Sequence, residues 1–299
     1  MAFNPVVIEK GLNAAFAQKM AEFFAARQLA PGLMSAVMGI ESNAAYEKMG
    51  WVGAMAAVAQ WIGELSAKNF SDYDYTIKNL DWAVAAPVNE NDVEDDQVGV
   101  LRMIPSLLAK RLLAHPEKLV AALATGGTSG LAYDGVAFFS DASGARAIDN
   151  LLGGSGVDTL AHMETDLNAA LVQMAKFTDD QSEVLNIKGN LIYCPVAQER
   201  NWKRLVQSDT DPGASVAGVY NPYKGMQVIG DARLDAADAT DWYLLATEEI
   251  VKPFAFSTRQ TGRGRMEKKN LTKTWVYSAD YRGNAGYGLP HLAVKTVNS

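Results

Sequence analysis

Residues 71-SDYDYTIKNLDWAVAAPVNENDVEDDQVGVLRMIPSLLAKRLLA-114 change period partway along their length. Up to Val88 they contain stretches of apolar–polar alternation, the two-residue period of a strand with one buried face. Beyond Asn91 the apolar positions Val93, Val100, Leu101, Ile104, Leu107, Leu108 and Leu112 fall at helical spacing. Asn91 or Asp92 supplies an N-cap, and Glu94, Asp95 and Asp96 sit in the first turn, where the helix dipole favours negative charge. Lys110 and Arg111 match the opposite end. The pattern predicts a helix over 93–114, about 30 Å long. Pro105 is expected to kink it, and His115-Pro116 to open a second helix over 117–124 that Gly126 and Gly127 stop.

Working outward, residues 51–91 hold Trp51, Trp61, Phe70, Tyr73, Tyr75 and Trp82. We read this crowding as a β-hairpin-like excursion with exposed aromatics. Such a segment is an aggregation hazard in a monomer, so a partner surface is its natural reason. Further upstream, Leu12, Phe16, Met20 and Phe23/Phe24 recur at spacings of three and four through an Ala-rich stretch ending near Pro31 and Gly32. That is an amphipathic helix whose apolar face needs cover from its own chain or a neighbour. Downstream, 125–157 is rich in Gly, Ser and Asp and is interrupted by 133-YDGVAFFS-140. A helix is predicted over 158–177, a buried strand at 190–196 and a helix at 197–206. Further strands are predicted at 226–231, 242–246, 250–259 and 274–282. Strands alternate with helices and also cluster, which defines an α+β class.

The chain of 299 residues has room for a substantial core. It lacks an apolar run long enough to span a membrane and a leader-like N-terminal pattern. A single cysteine, Cys194, rules out an intrachain disulfide framework and fits a reducing compartment. A net charge of −7 argues against a dedicated nucleic-acid binder. The search for chemistry finds no catalytic, cofactor or metal signature. Neither 126-GGTSG-130 nor 153-GGSG-156 has the spacing of a phosphate loop, so flexible or turn-forming glycine is the expectation. His115, His162 and His291 form no ligand pair, and Cys194 reads as a small buried hydrophobe. The acids from Glu90 to Asp96 lack the glycine and ligand spacing of a cation loop.

Three blocks in order carry a resemblance. In 46-YEKMGWVGAMAAVAQWIGE-64 it rests on Gly50, Trp51, Gly53, Trp61 and Gly63. In 75–99 it rests on Tyr75, Ile77, Asn79, Glu94, Asp95, Asp96 and Gly99. The third block is Tyr133-Asp134-Gly135 with Phe138-Phe139. Together they resemble the major head subunit family of Mu-like tailed phages and prophages. That family implies the HK97-type major capsid fold, with an N-arm, an E-loop, a spine-helix P-domain and an A-domain. On it we expect an N-terminal arm at 1–50, the E-loop at 51–91 and the P-domain at 92–157. The A-domain is expected at 158–250, with return strands at 251–299. One departure is local: Ser140-Asp141-Ala142-Ser143 replaces the family's His-Pro-like turn.

The resemblance implies a structural protein, not an enzyme, which self-assembles as hexamers and pentamers into an icosahedral head around double-stranded DNA. Implied partners are copies of itself, a scaffold protein, a portal, a decoration protein and the packaged DNA. No membrane is involved, and the subunit belongs to the virion after assembly in the host bacterial cytoplasm. Trp61, Tyr73, Tyr75 and Trp82 become candidate interface residues. The basic stretch 259–270, with Arg259, Arg263, Arg265, Lys268 and Lys269, has three readings: contact with DNA inside a shell, pairing with an acidic surface of an adjacent subunit, or a solvated loop. Rival functions are an encapsulin-like nanocompartment shell, a cytosolic enzyme with a dispersed active site, and a tail or baseplate component.

Overall fold

The computed structural model describes residues 32–52, 72–91, 103–141, 146, 148–179, 182–210, 212, 218–269 and 272–298. The expected N-terminal helix, Trp61 and the acidic helix start at residues 93–102 lie outside them.

Two sheets and a ribbon organise the described residues. The chain enters through a short 3-10 turn, Leu33–Ala36, and β1, Val37–Glu41. Strands β2, Tyr46–Val52, and β3, Asp72–Lys78, pair antiparallel as a two-stranded ribbon. Strand β4, Leu80–Asn89, follows at once, and helix α1, Ile104–Gly126, comes next. Then come β5, Leu151–Gly153; α2, Leu160–Ala175; β6, Leu191–Pro195; α3, Val196–Gln207; β7, Gln227–Asp231; α4, Ala232–Ala237; and β8, Trp242–Leu245. The long strands β9, Phe254–Lys269, and β10, Thr274–Tyr287, form a hairpin, and β11, Ala293–Val297, closes the chain.

The first sheet has the order β1-β9-β10-β4. One face packs on α1: Met266, Tyr277, Ala279 and Tyr281 are buried in the same core as Leu108, Leu112 and Val120. The second sheet, β5-β11-β8-β6-β7, is covered on both faces. Leu191, Tyr193, Tyr243 and Leu245 point into the core shared with α1. Their neighbours Ile192, Cys194, Trp242 and Leu244 point the other way, onto Met163 and Leu167 of α2 and Trp202 and Leu205 of α3. This explains why 190–196 reads as a continuous apolar run and not an alternating one.

Several expectations are met and others corrected. The predicted helix at 158–177 is α2, opened by Thr159, whose side chain accepts from the His162 amide. Pro105 does not lie mid-helix as expected but in the first turn of α1, where its missing N–H has no partner to lose. Nor does the helix break at Pro116, which sits inside a single helix. Leu112, Leu113, Val120, Ala121 and Ala124 are all buried on either side of it. That burial outweighs the one backbone hydrogen bond the proline removes. Within the hairpin-like excursion expected over 51–91, β3 pairs back to β2, which begins at Tyr46, while β4 joins β10 in the first sheet. The stretch 259–270 is not a loop but, through Lys269, the distal half of β9. The alternation of Arg263, Arg265 and Lys269 with half-buried or buried neighbours is the signal that a charge count conceals.

Candidate subunit interface

The ribbon's position is set by Asn79, the one residue between β3 and β4. It is buried, and its side chain donates to Ser42 Oγ at 2.8 Å and Ala44 O at 2.9 Å. It accepts from Ser257 Oγ at 2.8 Å. Its backbone N–H donates to Ala45 O at 3.0 Å. The end of β1, the start of β2 and β9 therefore meet on one carboxamide. Sequence reasoning had placed Asn79 in a family block without giving it this task.

The base of the ribbon then rests on β10. The Tyr287 amide donates to Tyr75 Oη at 3.2 Å, and burial pushes the Tyr75 hydroxyl above its ordinary pKa. Gly286 permits this approach, since a Cβ there would meet Ile77 at 2.7 Å and the Tyr75 ring at 3.0 Å. Backbone pairing sets Tyr73 opposite Trp51 further out on the ribbon.

Trp82 faces α1. Its indole N–H donates to Gly283 O at 3.0 Å, and its ring lies 4.4 Å, centroid to centroid, from that of His115. His115 Nδ1 is 2.7 Å from Tyr281 Oη. Burial, helped by the Lys118 charge, lowers the pKa of His115, so the neutral ring shares a hydrogen bond with the Tyr281 hydroxyl.

The basic residues divide between the two faces of the first sheet. Lys268 is turned toward α1, where it pairs with Glu90 and lies 5.3 Å from the Trp275 ring centroid. Arg263 and Arg265 project from the opposite face and share Asp280, at 3.5 and 3.7 Å. Lys269 is exposed beyond them, and Glu267 lies between. Gln260 adds a hydrogen bond to Asp280 at 3.1 Å. The face mixes both signs and, among the described residues, has no covering element. Such an arrangement suits a complementary protein surface better than a phosphate backbone, which favours an unbroken positive field.

Arg146 was missed altogether in the sequence. It explains the Tyr133-Asp134-Gly135 block, because its guanidinium grips Asp134 and also donates to Ala137 O and Phe138 O. The glycines of 126-GGTSG-130 form a packed turn. Gly127 abuts the Phe139 ring, and Gly130 abuts the Tyr287 ring and hydroxyl. Among the described residues, no three His, Cys, Asp or Glu side chains gather as they would around a metal ion.

A long helix laid on one face of a four-stranded sheet, a two-stranded ribbon seated on β10, and a second sheet sandwiched by helices constitute an HK97-like phage capsid fold. Solved structures share it. Against the procapsid of bacteriophage JBD30 the TM-score is 0.56 at 21% identity, covering 99% of this chain and 77% of the other. Against the capsid of cyanophage P-SCSP1u it is 0.62 at 11% identity, covering 90% and 88%. Against a virus-like particle from Pyrococcus furiosus it is 0.58 at 10% identity, covering 94% and 98%.

The sequence narrows this class. Residues 7–151 and 227–299 match the family described as Mu-like prophage major head subunit gpT, and the chain belongs to that family. It is 22% identical over 260 residues to the Mu-like prophage FluMu major head subunit of Haemophilus influenzae, covering 85% of this chain and 62% of that protein. It is 24% identical over 102 residues to the major capsid protein of Escherichia phage Mu, covering 34% of this chain and 33% of that one. The chain thus spans less than two thirds of the length of these relatives.

Proposed function

We propose that this chain is a major capsid subunit, a structural protein whose work is to assemble. The observation that carries the reading is the family match, which covers α1 and the first sheet as well as most of the strands of the second. Copies associate as hexamers and pentamers into an icosahedral head that encloses double-stranded DNA. Many modest contacts per subunit give the closed shell its stability, and weak individual contacts let misplaced subunits leave. Scaffold, portal and decoration proteins are the partners such a head requires. Assembly takes place in the host bacterial cytoplasm, and the product is a virion component.

Within this reading, residues 1–50 are the arm, 51–91 the extended loop, 92–157 and 251–299 the spine-helix domain, and 158–250 the axial domain. The ribbon of β2 and β3 is the part of the loop that projects. We assign Trp61, Tyr73, Arg263, Arg265 and Lys269 to contacts between subunits. Tyr75, Trp82 and Lys268 act at one remove, by holding the ribbon and the sheet on α1.

An encapsulin-like shell is the second reading, favoured by the likeness to the Pyrococcus virus-like particle. Fold alone does not separate the two, and family membership supports the phage head. Negative-stain microscopy with size-exclusion chromatography tests both, on the protein alone and co-expressed with neighbouring head genes. Closed shells, tubes or hexameric patches are expected. A small oligomer of fixed size under every condition would refute assembly. Shells that retain a cargo enzyme rather than DNA would favour the rival.

A further inference from the structure

A cavity of about 200 Å³ opens where the last turn of α1 meets the second sheet. Thr125 of α1, Leu234 of α4, Asp238 and Asp241 just before β8, Tyr243 of β8 and Lys295 of β11 line it. Tyr243 and Lys295 are directly opposite each other in the β8–β11 pairing, so their side chains leave the sheet on the same face.

This wall holds polar hydrogens that nothing in the fold takes up. Lys295 is 8% exposed, and an ammonium carries three N–H donors. Among the described residues it reaches one acceptor, Asp241 Oδ2 at 2.7 Å. Tyr243 is 2% exposed, and its hydroxyl has no hydrogen-bond partner among the described residues, yet it is not sealed in the core. Burial and the charges of Asp241 and Asp238 raise its pKa, which keeps the proton on the oxygen and the group a donor. Other buried acids are matched: Asp134 is held by Arg146, and Asp166 accepts from the Ser155 amide. Unused donors in a cavity wall mark a place where an acceptor belongs.

Spare acceptors line the same cavity. Asp241 is occupied, its Oδ1 taking the Asn298 amide at 3.1 Å. Asp238 is exposed at the mouth, and its Oδ1 accepts from the amide and hydroxyl of Thr240. Its Oδ2 accepts from no described residue. Thr125 spends its hydroxyl hydrogen on the carbonyls of Ala121 and Ala122, which leaves its oxygen free to accept.

Charge then selects the ligand. A cation would meet Lys295, and an anion would meet Asp238 and Asp241. A neutral group with an acceptor and donors side by side meets no like charge. A primary carboxamide is such a group, with an oxygen that accepts two hydrogen bonds and a nitrogen that donates two. A hydroxyl has a single donor and leaves Asp238 or Thr125 unmatched.

We propose that this cavity binds a neutral primary carboxamide, its oxygen toward Lys295 and Tyr243 and its NH₂ toward Asp238 and Thr125. The site does not depend on the assembly reading. The amide arrives either on a free small molecule or as the end of an Asn or Gln side chain of a neighbouring protein in the particle.

The test is saturation-transfer difference NMR on the soluble full-length subunit with three probes of one shape: propionamide, propionate and propylammonium. Propionamide is expected to give the strongest signal. Tyr243→Phe keeps the ring in the core and removes the hydroxyl, so it should weaken propionamide binding about fivefold, the loss of one hydrogen bond. Asp238→Ala removes the negative charge at the mouth and should narrow the gap between propionate and propionamide. A stronger signal from either charged probe would overturn the proposal. So would binding that Tyr243→Phe leaves unchanged, or a ranking that Asp238→Ala does not alter. No signal from any probe would mean that the cavity holds only solvent, and would overturn it too. Repeating the propionamide measurement on assembled particles separates the two sources. Binding that persists supports a free amide, and binding that is blocked only in particles supports a neighbour's side chain.

Discussion

The guanidinium of Arg146 holds both carboxylate oxygens of Asp134, Nη2 to Oδ1 at 2.6 Å and Nε to Oδ2 at 2.7 Å. Its remaining donor, Nη1, reaches the carbonyls of Ala137 and Phe138. One side chain thus fastens the loop that delivers Phe138 and Phe139 to the core. A lysine has no planar fork to replace it. Arg146→Lys is expected to cost about 3 kcal/mol, read as a lower urea midpoint of the unassembled subunit. An unchanged midpoint would mean that the loop is held by its phenylalanines alone.

The same pair sets an acid limit. Burial by itself would raise the Asp134 pKa, but the hydrogen bonds and charge of Arg146 outweigh it and leave the carboxyl below its usual range. A folded pKa below the unfolded one gives stability that is fully present above the unfolded value, about 3.9. It is lost as pH falls through the folded value. Asp134→Asn should therefore be less stable than the parent at pH 6, with the gap narrowing below about pH 4. A gap that is constant across this range would contradict the linkage.

His115 behaves in the same direction for a different reason. Burial and Lys118 lower its pKa, so the fold prefers the neutral ring, hydrogen-bonded to Tyr281. Trp82 on β4 and Tyr281 on β10 face it, and Glu117 and Lys118 follow it on its own helix. For a base with a lowered folded pKa, the unfolded chain binds the proton first as pH drops below about 6.5. Stability should fall from there toward the folded pKa. His115→Gln should remove that slope, measured as urea midpoint against pH between 7 and 5. If the slope survives in the variant, another group is responsible.

The sequence made most of the element positions legible and left their pairing obscure, for a physical reason. Periodicity reports which face of an element is buried, so α2, β6, β7 and β8 could be placed closely. It does not report which strand lies beside which. β3 and β4 fall in one continuous alternating stretch, yet the buried carboxamide of Asn79 sends them to different sheets. Proline misled in both places for one cause: its cost in a helix depends on position and on the packing around it, and neither is local information. Arg146 was invisible because its partner lies 12 residues away across a turn. The charges of β9 were counted correctly, but only the sheet separates Lys268 on one face from Arg263 and Arg265 on the other.

Asn79 yields a prediction that couples fold to assembly. Asn79→Ala would strand Ser257 Oγ in a buried site and take the carboxamide donor from Ser42 Oγ and Ala44 O, at a cost of about 2–3 kcal/mol. It would also free the ribbon's base from β1 and β9. Particle yield should therefore fall even at temperatures where the soluble subunit is still fully folded. If yield simply tracked the loss of stability, the ribbon's orientation would not depend on this residue.

The arginines of β9 supply the converse case, a large effect on assembly with little on folding. Arg263 and Arg265 are both about half exposed and share one acceptor, Asp280, at the outer limit of ion-pair distance. Exposed pairs of this kind contribute little to stability. The double change Arg263→Glu with Arg265→Glu should move the subunit's stability by no more than about 0.5 kcal/mol. A protein surface that meets this face would then confront like charge, so particle formation should drop at least tenfold and recover partly at high salt, where repulsion is screened. Sedimentation of particles at two ionic strengths, beside urea unfolding of the soluble subunit, reads both quantities. Normal particles that no longer retain DNA would assign the face to the nucleic acid instead. Normal particles with normal DNA content would show that this face makes no contact the head depends on.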